Sequence, residues 1–140
     1  MLKTSLFFLG AILILFGVTH SAMAMSSNIA MSPPNMVDSF GHTVSSFQVG
    51  QEIGVESTLK NNGNSDQKFT YLVQVMDANG GTDFLEGTSL NHFLPNQSFN
   101  ASQVWIPKTA GQYNIEIFVW DSLTSAIPLT DVLHTTINVT

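Results

Sequence analysis

The chain has 140 residues, a formal net charge of −6 from 4 basic and 10 acidic side chains, and no cysteine. Without cysteine there is no disulfide, thiolate zinc, CxxC redox centre, cysteine nucleophile, blue-copper thiolate or lipid-modified cysteine anchor. The acidic balance excludes nucleic-acid binding through phosphate neutralisation and predicts repulsion from anionic membrane surfaces.

The first element in chain order is a targeting segment. Lys3 precedes an unbroken apolar run of 13 residues, Leu6 to Val18, and Ala22-Met23-Ala24 supplies a small-x-small cleavage site. The run falls short of the roughly 20 residues a membrane-crossing helix needs. A cleaved signal peptide over 1–24 is therefore expected, with export to the cell envelope or extracellular space. No second hydrophobic segment follows, so no membrane span is expected after cleavage. Beyond residue 24, three lysines (Lys60, Lys68, Lys108) face ten acidic residues, a net charge of −7.

Residues 25–35 are rich in Ser, Ala, Met and Pro and read as a flexible lead-in. A series of short apolar-alternating segments separated by turn residues then runs over 36–140. Met36 to Phe40 and Ser45 to Val49 are the first strand and its extension. In Glu52 to Leu59, Ile53, Val55, Ser57 and Leu59 alternate with polar positions and Gly54, the pattern of a strand with one dry face. Asn61-Asn62-Gly63-Asn64 is a turn. Lys68 to Met76 is the next strand, with Phe69, Tyr71, Val73 and Val75 on one face. Asp77 to Gly81 turns into a short strand at Asp83 to Leu85. The turn Leu94 to Ser98 leads to a strand from Ala101 to Ile106. Gln112 to Trp120, rich in β-branched and aromatic residues, is the strongest strand, and Leu133 to Val139 ends the sheet. Seven or eight such strands predict an all-β fold, an immunoglobulin-like antiparallel β-sandwich. Tyr113, at the entrance to the strongest strand, has the position of a tyrosine corner, whose phenol bonds back to the backbone.

Three stretches carry a family resemblance: Leu59 to Asn64, Leu94 to Ser98, and Ala110-Gly111-Gln112-Tyr113 running into Ile115-Glu116-Ile117. Together they resemble the immunoglobulin-like domains of archaeal and bacterial surface proteins, in particular the CARDB-like group. The overall pattern is also similar to small secreted proteins of ammonia-oxidising archaea, especially at Phe118 to Leu123. The resemblance implies an adhesive or architectural module and brings no catalytic residues with it.

The residues themselves nominate one contact surface. Tyr113, Ile115, Ile117 and Val119 fill one face of their strand, which sends Phe118 and Trp120 to the other. If the strand pairs with Lys68 to Met76, then Leu72, Met76, Phe118 and Trp120 form an outward apolar patch with Leu123 beside it. Such patches mark contact surfaces, and Trp is a favoured anchor. The alternative is that the loop from Ser122 to Asp131 folds Leu123, Ile127 and Leu129 over the patch. The expected partner is another envelope or extracellular protein, or a second copy of the chain.

A second reading is copper carriage by Met25, Met31, Met36 and His42, whose thioethers and imidazole suit that metal. Their spacing matches no compact motif, and no cofactor is expected. Asp77, Asn79 and Asp83 fail the spacing of a calcium loop, where position twelve would be Thr88 rather than Glu. No nucleophile elbow or His-Glu-x-x-His occurs, so an enzyme is not expected. Asn96, Asn100 and Asn138 head Asn-x-Ser/Thr sequons, which permit glycosylation in an exported chain.

Overall fold

The computed structural model describes residues 28–140. Eight strands run in chain order: β1 (Ile29–Met31), β2 (Asn35–Val37), β3 (Ile53–Asn61), β4 (Gln67–Asp77), β5 (Thr82–Phe93), β6 (Ser98–Trp105), β7 (Gly111–Trp120) and β8 (Leu133–Val139). They make two antiparallel sheets. In the first, β3 pairs with β1 and β2 on one side and β6 on the other; the second has the order β5-β4-β7-β8. This is the immunoglobulin-like sandwich expected from the strand pattern.

The alternation along the central strands builds the core. Ile53, Val55 and Leu59 of β3 face Phe69, Tyr71, Val73 and Val75 of β4 and Ile115, Ile117 and Val119 of β7. Trp105 and Phe93 close the sides of this layer. Phe69 stacks edge-on against Phe93 with ring centroids 5.0 Å apart, and Trp105 against Tyr113 at 4.7 Å.

Over residues 25–49 the structure departs from three expectations. The lead-in of 25–35 contains strand: Ile29, Ala30 and Met31 pair with Asn61, Lys60 and Leu59, and Asn35 begins β2. Three residues per strand are too few to show a period. Met36 to Phe40 is strand only as far as Val37, because Asp38 turns the chain, its carboxylate accepting from the N–H groups of Phe40 and His42. Ser45 to Val49 forms no strand, yet Phe47 bridges Val139 in parallel, carrying the chain from the first sheet to the edge of the second.

The short strand at Asp83 to Leu85 is in fact twelve residues long. As a sheet edge, β5 needs no apolar alternation, and Glu86 and Thr88 occupy inward positions opposite Val73 and Tyr71. An inward charge on an edge strand opposes pairing with another chain. Val75 pairs with Phe84 and Met76 with Thr82, leaving Asp83 as the extra residue of a β-bulge. The bulge brings its carboxylate to the Trp105 indole N–H, which donates at 2.8 Å. Gln103 donates to Thr88 on the same side, so side-chain bonds tie the edges of the two sheets together.

Tyr71 is fully buried and donates to the Val55 carbonyl at 3.2 Å. Burial pushes its phenol up to about 12. The group's folded pKa lies above its ordinary value of 10.0, so its contribution is complete below pH 10 and is lost as pH rises toward 12. Unfolding free energy should fall by about 2–3 kcal/mol across that window. In Tyr71→Phe this part of the alkaline slope disappears, at a cost near neutrality of about 1 kcal/mol for the lost hydrogen bond. Urea unfolding at pH 8, 10 and 12 checks both (an unchanged slope in the variant refutes the assignment).

Candidate interaction face

The outer face of the second sheet is set by strand register. Leu72 of β4 lies opposite Phe118 of β7 and Gly87 of β5; one step along, Thr70 lies opposite Trp120 and Ser89. A Cβ at Gly87 would stand 2.6 Å from Leu72 Cδ2, so the leucine lies down over the glycine and is almost wholly buried. Phe118 and Trp120 are half-buried, their centroids 5.7 Å apart and their planes tilted by 53°. The patch therefore has a floor, Leu72, and two aromatic walls. Leu72, nominated as a contact residue, is instead the support beneath them.

Met76 is half-buried on the same face but stands apart from the aromatic pair. The row between them holds Gln74, Glu116 and His134, with Leu85 exposed at its β5 end. His134 Nδ1 lies 3.2 Å from Glu116 Oε1, which sets an acid–imidazole pair beside Phe118.

The loop after β7 leaves its apolar side chains in solvent: Leu123 is 62% exposed and Ile127 57%. Asp121 holds the loop in that form. Its carboxylate accepts from the N–H groups of Ser122 and Ile127 and from the Ser125 hydroxyl. The Ser125 bond is the main reason this carboxyl lies below its ordinary range. The backbone then returns along β7, with Leu129 donating to Val119 and Leu129 packed against the core. Of the three residues that could have covered the aromatic pair, one joins the core and two face water.

A family profile described as S-layer A-like matches residues 1–140, the whole length of the chain. The chain belongs to the S-layer A-like family. Among solved structures, it is similar to the CARDB domain of a Pyrococcus furiosus protein in complex with di-metal ions, with a TM-score of 0.53 and 19% identity over 81% of this chain and 93% of that one. It is also similar to parts of larger enzymes. A β-glucosidase of Erythrobacter marinus matches at TM-score 0.57 and 9% identity, with 81% of this chain covering 16% of that one. A Pseudomonas fluorescens alkylpurine DNA glycosylase bound to abasic-site DNA matches at 0.54 and 11%, over 82% and 31%. At these identities the likeness is one of fold. No curated protein matches.

The described copper candidates of this S-layer A-like chain have different surroundings. Met36 is a buried core side chain, and Met31 is half-buried against the core. His42 is exposed and lies 3.3 Å from Asp38. Met25 lies outside the described residues, as does the signal segment. Among the described residues, no group of three His, Asp or Glu side chains could hold a metal ion.

Tyr113 donates its phenol proton to the Thr109 carbonyl at 2.9 Å and accepts from the Thr109 hydroxyl at 2.8 Å. This pins the turn before β7 to the strand that carries Phe118 and Trp120. The sequence does not single out Leu85, because only its register with Gln74 places it on this outer face. The signal was the small residue Gly87 two positions on, which a strand tolerates where another side chain must lie across it.

Proposed function

We propose that the chain is a non-catalytic module of the cell envelope or extracellular space that docks on a protein partner through the outer face of β4 and β7. The observation that carries this reading is the aromatic pair Phe118 and Trp120, raised on the buried Leu72 and left open by a loop whose own Leu123 and Ile127 face solvent. Half-buried aromatics on a rigid sheet lose little side-chain freedom on binding, which is why they serve as anchors. Membership of the S-layer A-like family supports a place at the cell surface. The non-catalytic reading rests on that membership and on the scattering of the described histidines, each beside its own carboxylate.

The test is site-specific photocrosslinking in the native envelope. A photoreactive residue at Phe118 or Leu123 should capture one protein partner, whereas one at Thr58, on the outer face of the opposite sheet, should not. A product of twice the chain mass would make the partner a second copy. Equal capture from both sheets, or none, would refute the docking face. Trp120→Ala should weaken the captured pair about tenfold or more while leaving the fold intact.

A further inference from the structure

At one end of the sandwich, the β3–β4 turn, the β5–β6 turn and the start of β1 surround an open hollow of about 750 Å³. Its lining is Asn28, Asn62, Gly63, Asn64, Pro95 and Asn96, with no charged residue. Four exposed carboxamides surround this one hollow, and asparagine has two local roles in turns. It tolerates positive φ, and its side chain caps nearby backbone groups.

The first applies to Asn96 alone. Gln97 donates to the Leu94 carbonyl, with Pro95 and Asn96 between them and Asn96 at φ 63°, a type II turn. Asn28, Asn62 and Asn64 have no positive φ. The second applies to none of the four, since their side chains make no hydrogen bond among the described residues. The capping is done by a fifth residue, Asn61, whose amide holds Gly63, Ser65 and Phe93.

The backbone around the hollow is meanwhile fixed. Asn62 donates to the Asn28 carbonyl at 2.7 Å, Asn96 to Asn61 at 2.8 Å and Asn61 to Gln97 at 3.0 Å. At Gly63 a Cβ would stand 2.9 Å from Asn28 Cβ, so only glycine lets Asn28 lie against the turn. The result is a set of unspent amides on a rigid frame.

We propose that this hollow binds a neutral saccharide. Each carboxamide offers a donor pair and an acceptor at a fixed angle, a match for adjacent sugar hydroxyls. Pro95 adds an apolar ring for the C–H face of a pyranose. The uncharged lining gives an ionic ligand no counter-charge. The saccharide has two possible sources, a glycan carried by another molecule or one attached to this chain at Asn96, which heads the sequon Asn96-Gln97-Ser98.

The probes are chitotriose, cellotriose and mannotriose, titrated separately into the ¹⁵N-labelled, non-glycosylated chain lacking 1–24. With at least one of them, the side-chain NH₂ resonances of Asn28, Asn62, Asn64 and Asn96 should move, while that of Asn61 stays. Replacing Asn62 and Asn64 together by Ala should leave the unfolding midpoint unchanged and weaken binding about tenfold or more. Movement of none of the four with any probe overturns the proposal, as does unaltered affinity in the double variant. Peptide mass mapping of the protein from its own cells separates the sources. Hexose mass on the Asn96 peptide that vanishes in Ser98→Ala makes the occupant the chain's own glycan; a bare peptide makes it another molecule's.

Discussion

Trp105→Ala should lower stability by about 4–5 kcal/mol, much more than the same change at Trp120. The two tryptophans end successive strands and look alike in the sequence, but Trp105 is 2% exposed and Trp120 half-buried. Removing Trp105 opens a cavity between the sheets and takes the edge-on partner from Tyr113. It also strips Asp83 of the indole N–H that the β5 bulge exists to meet. Domains of this size are stable by about 5–15 kcal/mol, so the loss is a large share of the total. The melting temperature should drop by about 20 °C. Trp120→Ala removes an aromatic wall that already faces water on one side, and about 1–2 kcal/mol is expected. Calorimetry of both variants decides the matter. Equal losses would mean that Trp120 is a core residue, and the docking face would fall with that result.

This contrast also marks how far the sequence could be read. Alternation is legible where one face is dry. Ile53 to Leu59, Phe69 to Val75 and Tyr113 to Val119 all carry it, and all three lie in the core as expected. It fades where a strand sits at an edge. Glu86, Thr88 and Ser89 in β5 belong to a twelve-residue strand that no apolar period announces. β1 is too short to have a period and is held by its register with β3.

The outer face was half legible. That Phe118 and Trp120 oppose the core follows from counting by twos. That Leu72 lies beneath them depends on Gly87, which is fifteen residues away and aligned only by the β4–β5 register. The loop after β7 was undecided for a similar reason. Its composition is apolar enough to cover the patch, and the side-chain bonds of Asp121 decide that Leu123 and Ile127 stay outside. The asparagines at 61–64 read as turn chemistry, which is true of Asn61. Nothing in their order distinguishes the amide that is consumed from the ones that are free.

That distinction can be tested, and Asn61→Ala should cost about 3–4 kcal/mol. Asn61 is 1% exposed. Its amide nitrogen donates to the carbonyls of Ser65 at 2.9 Å and Phe93 at 2.7 Å, and its oxygen accepts from the Gly63 N–H at 2.9 Å. One side chain thus fastens the β3–β4 turn to the end of β5. Alanine leaves the Phe93 carbonyl without that partner in a place where water has little access, and a buried polar group without a partner is costly. Asn61→Asp should be worse than alanine at neutral pH although it is nearly the same shape. The Gly63 bond survives, but a carboxylate oxygen now meets two carbonyl oxygens and brings a buried negative charge with it. The neighbouring Asn62→Ala and Asn64→Ala should each change stability by less than about 0.5 kcal/mol, since exposed side chains without partners hold nothing together. Urea unfolding of the four variants at pH 7 gives the order directly. If Asn61→Ala unfolds with Asn62→Ala rather than well below it, the end of the sandwich is held by its backbone bonds alone.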